Sequence, residues 1–363
     1  MLGYPSWGCF SVKVLGMYPP DTTPTLPLDT EPTANDDEPL PPEGTPKGYR
    51  SGFVALIGRP NVGKSTLLNR LVGQKIAITS RVAQTTRHRI KGIVTSDAGQ
   101  VIFLDTPGLS KPLDKLGHYL CEETQAALAE ADAYLVVVDI TLPPGKGDQW
   151  VLDQAWAANK PLLLVLNKAD SFTNNPTLTA ERLAAYTQLI PQANFEANPD
   201  AEPHAPVMVV TVSAKTGLSV PKLLKTLLRF LPKGPRYYDE EAVTDQRLRE
   251  MSAEIIREKI MRQMAEEIPH SVAVIIENFD ETDDALTRIE ATLYVDKASQ
   301  KPLLIGAKGQ RIKALGVAAR EDLEVLLEKK VFLGLNVKVK PNWRKDSQFL
   351  KQLGWAAPEA NTN

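Results

Sequence analysis

Four short segments hold side chains whose types and spacing can do chemistry. Gly58-Arg59-Pro60-Asn61-Val62-Gly63-Lys64-Ser65 fits G-x-x-x-x-G-K-[ST], with Thr66 continuing it. Glycines let backbone N–H groups close on phosphate, and a helix starting there adds a favourable dipole. Lys64 supplies a charge near the outer phosphates, and the Ser65 hydroxyl suits magnesium, a cation that takes oxygen ligands. Asp105-Thr106-Pro107-Gly108 closes an apolar run. There Asp105 can hold magnesium directly or through water, and the Gly108 N–H can sense a γ-phosphate. Asn167-Lys168-Ala169-Asp170 closes a second apolar run. The Asp170 carboxylate matches the paired donors of guanine, N1–H and the 2-amino group, where adenine has an acceptor; the wrong base would leave a carboxylate unpaired. Ser213-Ala214-Lys215 comes last. Alone, the second and third segments read equally well as surface turns. In this order the four imply a nucleoside triphosphate site that prefers GTP to ATP.

Between the first two segments, Gln84-Thr85-Thr86-Arg87-His88 is polar and aperiodic. A threonine there can cover magnesium when GTP is bound; the plain alternative is an exposed loop. A different chemistry is concentrated near the other end. Residues 294–345 hold twelve Lys or Arg against five Asp or Glu, a net of 12 − 5 = +7. Within them, Gly306-Ala307-Lys308-Gly309 lies between two helix-like stretches. Such a turn clamps a single-stranded nucleic-acid backbone, with Lys308, Arg311 and Lys313 neutralising phosphates. The bland alternative is a helix–turn–helix corner. Trp343 can either stack on a base or pack near the last strand.

Alternating strands and helices must position these residues. Phe53–Ile57 reads as a strand before the phosphate loop, and Ser65–Val72 as the helix after it. Arg89–Thr95 and Val101–Leu104 flank a turn-rich stretch and predict a hairpin. Tyr134–Ile140, Leu162–Leu166 and Val207–Val212 are continuous apolar runs, as strands buried on both faces should be. Helical stretches over Leu116–Glu130, Gln149–Ala158, Thr179–Leu189 and Val220–Phe230 make βαβ crossovers. The fold class is therefore α/β: a mostly parallel sheet with one antiparallel edge strand and helices on both faces. Residues 191–206 read as a loop insertion.

Pro232-Lys233-Gly234-Pro235 breaks the pattern as a linker. A long amphipathic helix is expected from Thr244 to Glu267, capped by Thr244 or Asp245. Strands over Val272–Asn278 and Arg288–Val295, a short helix at Leu303–Ile305, a helix over Gln310–Glu328 and a strand over Asn336–Lys340 follow. The second unit is α+β. The resulting domains are an acidic, Pro-rich tail (1–50), a nucleotide domain (51–232), a linker (233–243), a second domain (244–345) and a tail (346–363). Ten prolines and seven acids against three bases give residues 1–50 no means of burying a core, so disorder is expected there.

Composition sets outer bounds. The 363 residues suit two or three domains, and the net charge of −2 carries no global signal for nucleic acid. Cys9 and Cys121 make neither a disulfide framework nor a metal-ligand spacing and fit a reducing compartment. No apolar run approaches the ~18 residues of a membrane span. Gly8-Cys9 lacks the preceding apolar segment of a lipoprotein signal.

Taken together, Gly58–Thr66, Gln84–Arg89, Asp105–Gly108, Asn167–Asp170 and Ser213–Lys215 resemble the five guanine-nucleotide motifs of the TrmE–Era–EngA group of GTPases. Tyr237-Tyr238, Val243-Thr244-Asp245, Glu254–Lys259 and Gly306–Gly309 narrow the resemblance to the Era family, over about residues 50–345. The resemblance implies a Ras-like GTPase domain joined to a type II KH domain. It implies phosphate contacts from Asn61 to Ser65, magnesium on Ser65, Thr86 and Asp105 with Thr85 as the neighbouring alternative, and guanine read by Asn167 and Asp170 with the Ala214 N–H on O6. Asn61 is a candidate potassium ligand. Leu109 stands where Ras-like GTPases carry a water-orienting glutamine, so intrinsic turnover should be slow. Lys64, Thr86 and Gly108 are the expected catalytic groups. The implied partners are GTP, GDP, the 3′ end of 16S ribosomal RNA and the 30S subunit, for a monomer in the cytoplasm or peripheral on the inner membrane face. Two other readings are a GTP-regulated RNA binder with vestigial hydrolysis and a partner in tRNA modification; the second lacks a cofactor motif or a catalytic cysteine.

Overall fold

A computed structural model of the chain describes residues 13–15, 46, 48–80, 86, 87, 89–108, 114–172, 175–190, 205–264 and 268–355. After a three-residue strand β1 (Lys13–Leu15), β2 (Arg50–Ile57) runs into the phosphate loop and α1 (Lys64–Val72). β3 (Ile90–Ser96) and β4 (Gly99–Asp105) form the expected hairpin. Then come α2 (Lys115–Glu130), β5 (Ala133–Asp139), α3 (Lys146–Ala157), β6 (Leu162–Asn167), α4 (Pro176–Thr187), β7 (Val207–Thr211) and α5 (Val220–Leu228). The sheet order is β1-β7-β6-β5-β2-β4-β3, parallel except for β3 at one edge.

β4, β5 and β6 are buried at every position, which is why they read as unbroken apolar runs. Leu67, Leu71, Leu223 and Leu227 of α1 and α5 cover one face of the sheet. Ala127, Val151, Leu152 and Leu183 of α2, α3 and α4 cover the other. A parallel sheet sends its strands' C-terminal ends to one edge, so the motif-bearing loops after β2, β4, β6 and β7 meet there.

The second unit comprises α6 (Leu248–Gln263), α7 (Ile268–Ser271), β8 (Val272–Asp280), β9 (Leu286–Val295), α8 (Gln300–Ile305), α9 (Gln310–Leu327), β10 (Lys330–Val339) and α10 (Ser347–Gln352). Central β9 is antiparallel to β8 and parallel to β10. Ile256, Ile260, Leu315, Ala319 and Leu323 of α6 and α9 pack on Ile289, Leu293 and Val337. This is the α+β arrangement expected of a type II KH unit.

Four details differ from expectation. Lys13–Leu15, within the stretch expected to be disordered, pairs in parallel with Met208–Val210; the chain from Ser11 to Gly16 is free of proline. α6 starts at Leu248 because Thr244 and Asp245 are held elsewhere. Thr244 bridges Gly92 and donates its hydroxyl to Lys91 O at 2.8 Å, while Asp245 pairs with Lys91 at 3.3 Å. β10 begins six residues before the expected Asn336, keeping register with β9 from Lys330. Part of the expected tail is folded: Asp346 caps α10, and Phe349, Leu350 and Trp355 pack with Trp343 on Leu116 and Leu120 of α2. Trp343 is fully buried and donates its indole N–H to Ser271 O at 2.8 Å, so of its two readings the structure takes packing. The insertion expected at 191–206 lies almost wholly outside the described residues.

Candidate functional site

The phosphate loop turns between β2 and α1 around a glycine that nothing can replace without movement. Gly63 has φ 101°, and a Cβ there would lie 2.3 Å from Asn167 Nδ2. The loop wraps Lys64, which is 7% exposed and donates to Gly58 O at 3.0 Å and Arg59 O at 3.2 Å. Burial lowers the Lys64 pKa to about 8, against the opposing pull of Asp105. The group therefore remains mostly protonated at neutral pH, ready for an anion.

Beside it, three oxygens converge. Ser65 Oγ lies 3.0 Å from Thr86 Oγ1, and both hydroxyls donate to Asp105 Oδ2, at 2.9 and 3.1 Å. The other carboxylate oxygen, Oδ1, is buried with no hydrogen-bond partner among the described residues. Burial pushes the Asp105 pKa up, opposed by Lys64 and by the two hydroxyls. A buried carboxylate with an orphan oxygen, flanked by two hydroxyls, fits a small divalent cation that takes only oxygen. Thr86 thus occupies the metal corner; Thr85, Gln84 and His88 lie outside the described residues, as does Leu109. Pro60, Asn61, Gly63, Lys64, Ser65, Thr66, Thr86 and Gly108 line a cleft, together with Ile78, Thr79 and Ser80.

Several side chains expected to touch nucleotide also bond within the protein. Arg59 donates to the buried Asp148 of α3 at 2.7 Å. Thr106 is buried and donates to Leu56 O at 2.7 Å. Asn167 donates to Val62 O and accepts from Ala214 N–H, both at 2.9 Å, so it ties the phosphate loop to the Ser213–Lys215 loop. That bond also engages the Ala214 N–H that was expected on guanine O6. Gly58, Val62 and Pro107 are buried.

After β6, Asp170 is half-buried and Ser213 Oγ donates to its Oδ1 at 2.7 Å, fixing the carboxylate. Lys168 Nζ donates to Asn61 O at 2.9 Å and pairs with Asp139 at 2.5 Å. Burial pushes the Asp139 carboxyl up, but Lys168 and Thr141 more than offset that and leave it below its ordinary range.

The chain matches the family model described as 50S ribosome-binding GTPase over residues 53–168 and the KH-domain model over 267–344. It is 45% identical to the GTPase Era of Rippkaea orientalis, over 85% of this chain and 94% of that one. With the GTPase Era of Staphylococcus haemolyticus it shares 40%, over 85% and 97%. The chain belongs to the Era family of GTPases. Two solved Era structures superpose on 85% of it and 100% of themselves at 37% identity. One, with TM-score 0.76, is Era with MgGDPNP and nucleotides 1506–1542 of 16S ribosomal RNA. The other, with TM-score 0.75, is an Aquifex aeolicus Era variant bound to GDP·AlF4−.

The second motif of the family, Gly306–Gly309, joins α8 to α9. Gly306, Lys308 and Gly309 all have positive φ (76°, 48° and 77°), giving the turn its sharp bend. Gly306 is needed for contact: a Cβ there would lie 2.6 Å from Arg311 Cγ. Arg311 donates to Leu303 O at 3.1 Å, and Ala307, Lys308, Arg311 and Lys313 are exposed.

Sequence reasoning missed residues whose partners are distant. Arg70 of α1 donates to Ala214 O at 3.1 Å and Lys215 O at 2.5 Å, bracing the Ser213–Lys215 loop. Glu258 of α6, fully buried, accepts from Thr79 N–H at 2.9 Å in the cleft wall and pairs with Lys75 at 2.6 Å. Glu258 lies inside the family segment Glu254–Lys259, a signal that marked it without giving its role. Arg87 of the Gln84–Arg89 motif is buried and bonds the KH unit.

Proposed function

We propose that the chain is a GTP-driven switch. It hydrolyses GTP to GDP slowly, binds single-stranded 16S ribosomal RNA near its 3′ end through the KH unit, and assists assembly of the 30S subunit. The carrying observation is the Ser65–Thr86–Asp105 oxygen cluster beside buried Lys64. The Era relatives solved with MgGDPNP and an RNA fragment, and with GDP·AlF4−, support the same reading.

Ser65, Thr86 and Asp105 would hold magnesium. That ion, when bound, neutralises charge on the outer phosphates as the terminal bond breaks. Lys64 and the N–H groups from Asn61 to Ser65 hold the phosphates, and Gly108 N–H contacts the transferred group. Asp170, fixed by Ser213, accepts from guanine. Asn167 acts as the brace between the loops, and the backbone of Lys215 stands next in line for O6. Asn61 would hold potassium in the cleft, an ion that could help place the attacking water as an aliphatic Leu109 cannot. Residues 51–232 act as the GTPase domain, 233–243 as the linker and 244–345 as the RNA-binding domain, in which Gly306–Gly309, Arg311 and Lys313 meet the RNA backbone. The protein would work as a monomer in the cytoplasm with any membrane contact peripheral; among the described residues no helix is long and apolar enough to cross a membrane.

Single-turnover GTP hydrolysis, measured with and without a 16S 3′-end oligonucleotide in potassium and in sodium, tests the reading. Wild type should turn over faster with RNA and in potassium, and Thr86→Ala should need far more magnesium to reach its half-maximal rate while still binding GDP. Turnover at the solvent background under every condition would leave only a nucleotide-binding module.

A further inference from the structure

Arg87 is a buried charge with no part in the chemistry above. Its side chain is 4% exposed and lies at the junction of the two halves of the chain. The guanidinium donates to Val272 O, where β8 begins, at 2.9 Å. Its central carbon lies 5.7 Å from the Trp343 ring centre and 6.0 Å from that of Trp355. Those two indoles are themselves stacked, with centroids 6.1 Å apart. A buried guanidinium over aromatic faces is held much more firmly than an exposed one, because leaving the site would strand a desolvated donor or reopen an apolar cluster.

All three of these contacts come from the second half of the chain, yet the residue before Arg87 is Thr86. Adjacent Cα atoms are separated by ~3.8 Å across a rigid peptide. Seating Arg87 therefore narrows the backbone positions open to Thr86, whose hydroxyl lies 3.1 Å from Asp105 Oδ2. An independent contact grips the same cleft from the same side: Glu258 takes the Thr79 N–H, and Arg262 donates to Thr79 Oγ1 at 3.0 Å.

We propose that Arg87 is a positioning residue that makes the metal-holding geometry of Thr86 conditional on the seating of the KH unit and the Trp343–Trp355 cluster. The second domain is then a structural part of the GTPase site. The proposal rests on Thr86 as a magnesium ligand, so its test separates the two.

The full-length chain is compared as wild type, Thr86→Ala, Arg87→Ala, Arg87→Lys, Trp355→Ala and the Thr86/Arg87 double variant. The readouts are the magnesium concentration giving half-maximal single-turnover hydrolysis and the GDP affinity measured in chelator. Arg87→Ala and Trp355→Ala should each raise the half-saturating magnesium about tenfold, the scale expected from losing a desolvated cation–π contact and one buried hydrogen bond. GDP affinity in chelator should not change. Arg87→Lys should recover part of the loss. The double variant should be no worse than Thr86→Ala alone, since a residue acting only through Thr86 has nothing left to act on. A plain packing role would instead give additive losses, and that result overturns the proposal. Normal magnesium dependence in Arg87→Ala overturns it as well. Normal dependence in Thr86→Ala removes the ligand assignment and the proposal with it. If Arg87→Ala does not fold, Trp355→Ala carries the same comparison from the far end of the chain, and an unshifted value there counts against the proposal.

Discussion

The phosphate loop and the Gly306–Gly309 turn are built from the same parts and finished differently. Each is a glycine-bounded turn leading into a helix, α1 or α9, and each carries a lysine. Lys64 is buried, bonded to two loop carbonyls, and backed by Asn167, Asp105 and Ser65. Lys308 stands exposed on a turn where Arg311 packs against Gly306. The first loop is organised before its ligand arrives, in low dielectric, where each group acts strongly. The second works by charge and backbone shape in water, where contributions are small, additive and screened by salt. On the proposed function, one loop selects a single nucleotide and the other follows a long strand.

The comparison is tested most severely at Lys64. Lys64→Ala should cut GTP turnover by on the order of 10³-fold, the scale of losing a preorganised charge donor in a dry site. Melting temperature should barely change, since the ammonium packs no core. The depressed pKa adds a pH signature. Protonated Lys64 binds phosphate, so GDP affinity should fall as pH rises through about 8. Binding at higher pH should be accompanied by proton uptake, measured by calorimetry in buffers of different ionisation heat. Unchanged turnover, or affinity flat to pH 9 in wild type, would show that Lys64 is no better organised than Lys308.

Asp170 tests the base-reading side of the same built site. Asp170→Asn keeps one acceptor but replaces the other with a donor, facing guanine's two donors. GTP affinity should drop about a hundredfold, in keeping with a lost charge-assisted bond and an unpaired group. Xanthosine triphosphate should bind better than to wild type. Equal GTP affinity in variant and wild type would remove Asp170 from base recognition.

Much of this contrast was legible in the sequence, because both loops are local. Gly58–Ser65 and Gly306–Gly309 announce themselves by spacing, and the buried strands β4 to β6 by unbroken apolar runs. What escaped was polar and long-range. Arg70 meets Ala214 across 144 positions, Thr79 meets Glu258 across 179, and Arg87 meets Val272 across 185. A single charged residue on a helix or loop has no period, so sequence cannot separate a buried partner from a solvated face. The same limit explains α6. Its charges Arg257, Glu258 and Lys259 are buried because the helix has neighbours on more than one side, whereas an amphipathic reading assigns them to water. The folded stretch after Asp346 escaped for a related reason: Phe349, Leu350 and Trp355 are too few to show periodicity, and their partner is α2.

On the open turn, charge reversal should do what charge removal cannot. Replacing Ala307 and Lys308 by two aspartates exchanges one positive charge for two negative ones at the proposed phosphate path. Single-stranded RNA affinity should fall at least tenfold at moderate salt, with GTP binding intact, as filter binding would measure. The turn is exposed, so the fold should be spared. RNA binding like that of wild type would mean that the +7 surface serves another anionic partner, and vesicles rich in anionic lipid are the first to try.

The smallest effect is the most discriminating. Lys308→Ala removes one exposed charge from a surface that keeps Arg311, Lys313 and the rest of the basic set. If the turn acts only through screened charge, affinity should fall about two- to fivefold. The slope of log affinity against log salt should flatten by about one unit or less, the release of roughly one counterion. A loss as great as that of Lys64→Ala, with no change in the salt slope, would mean that Lys308 makes a desolvated contact once RNA is bound. The open turn would then close around its ligand into a site of the first kind, and the difference between the two loops would belong to the free protein alone.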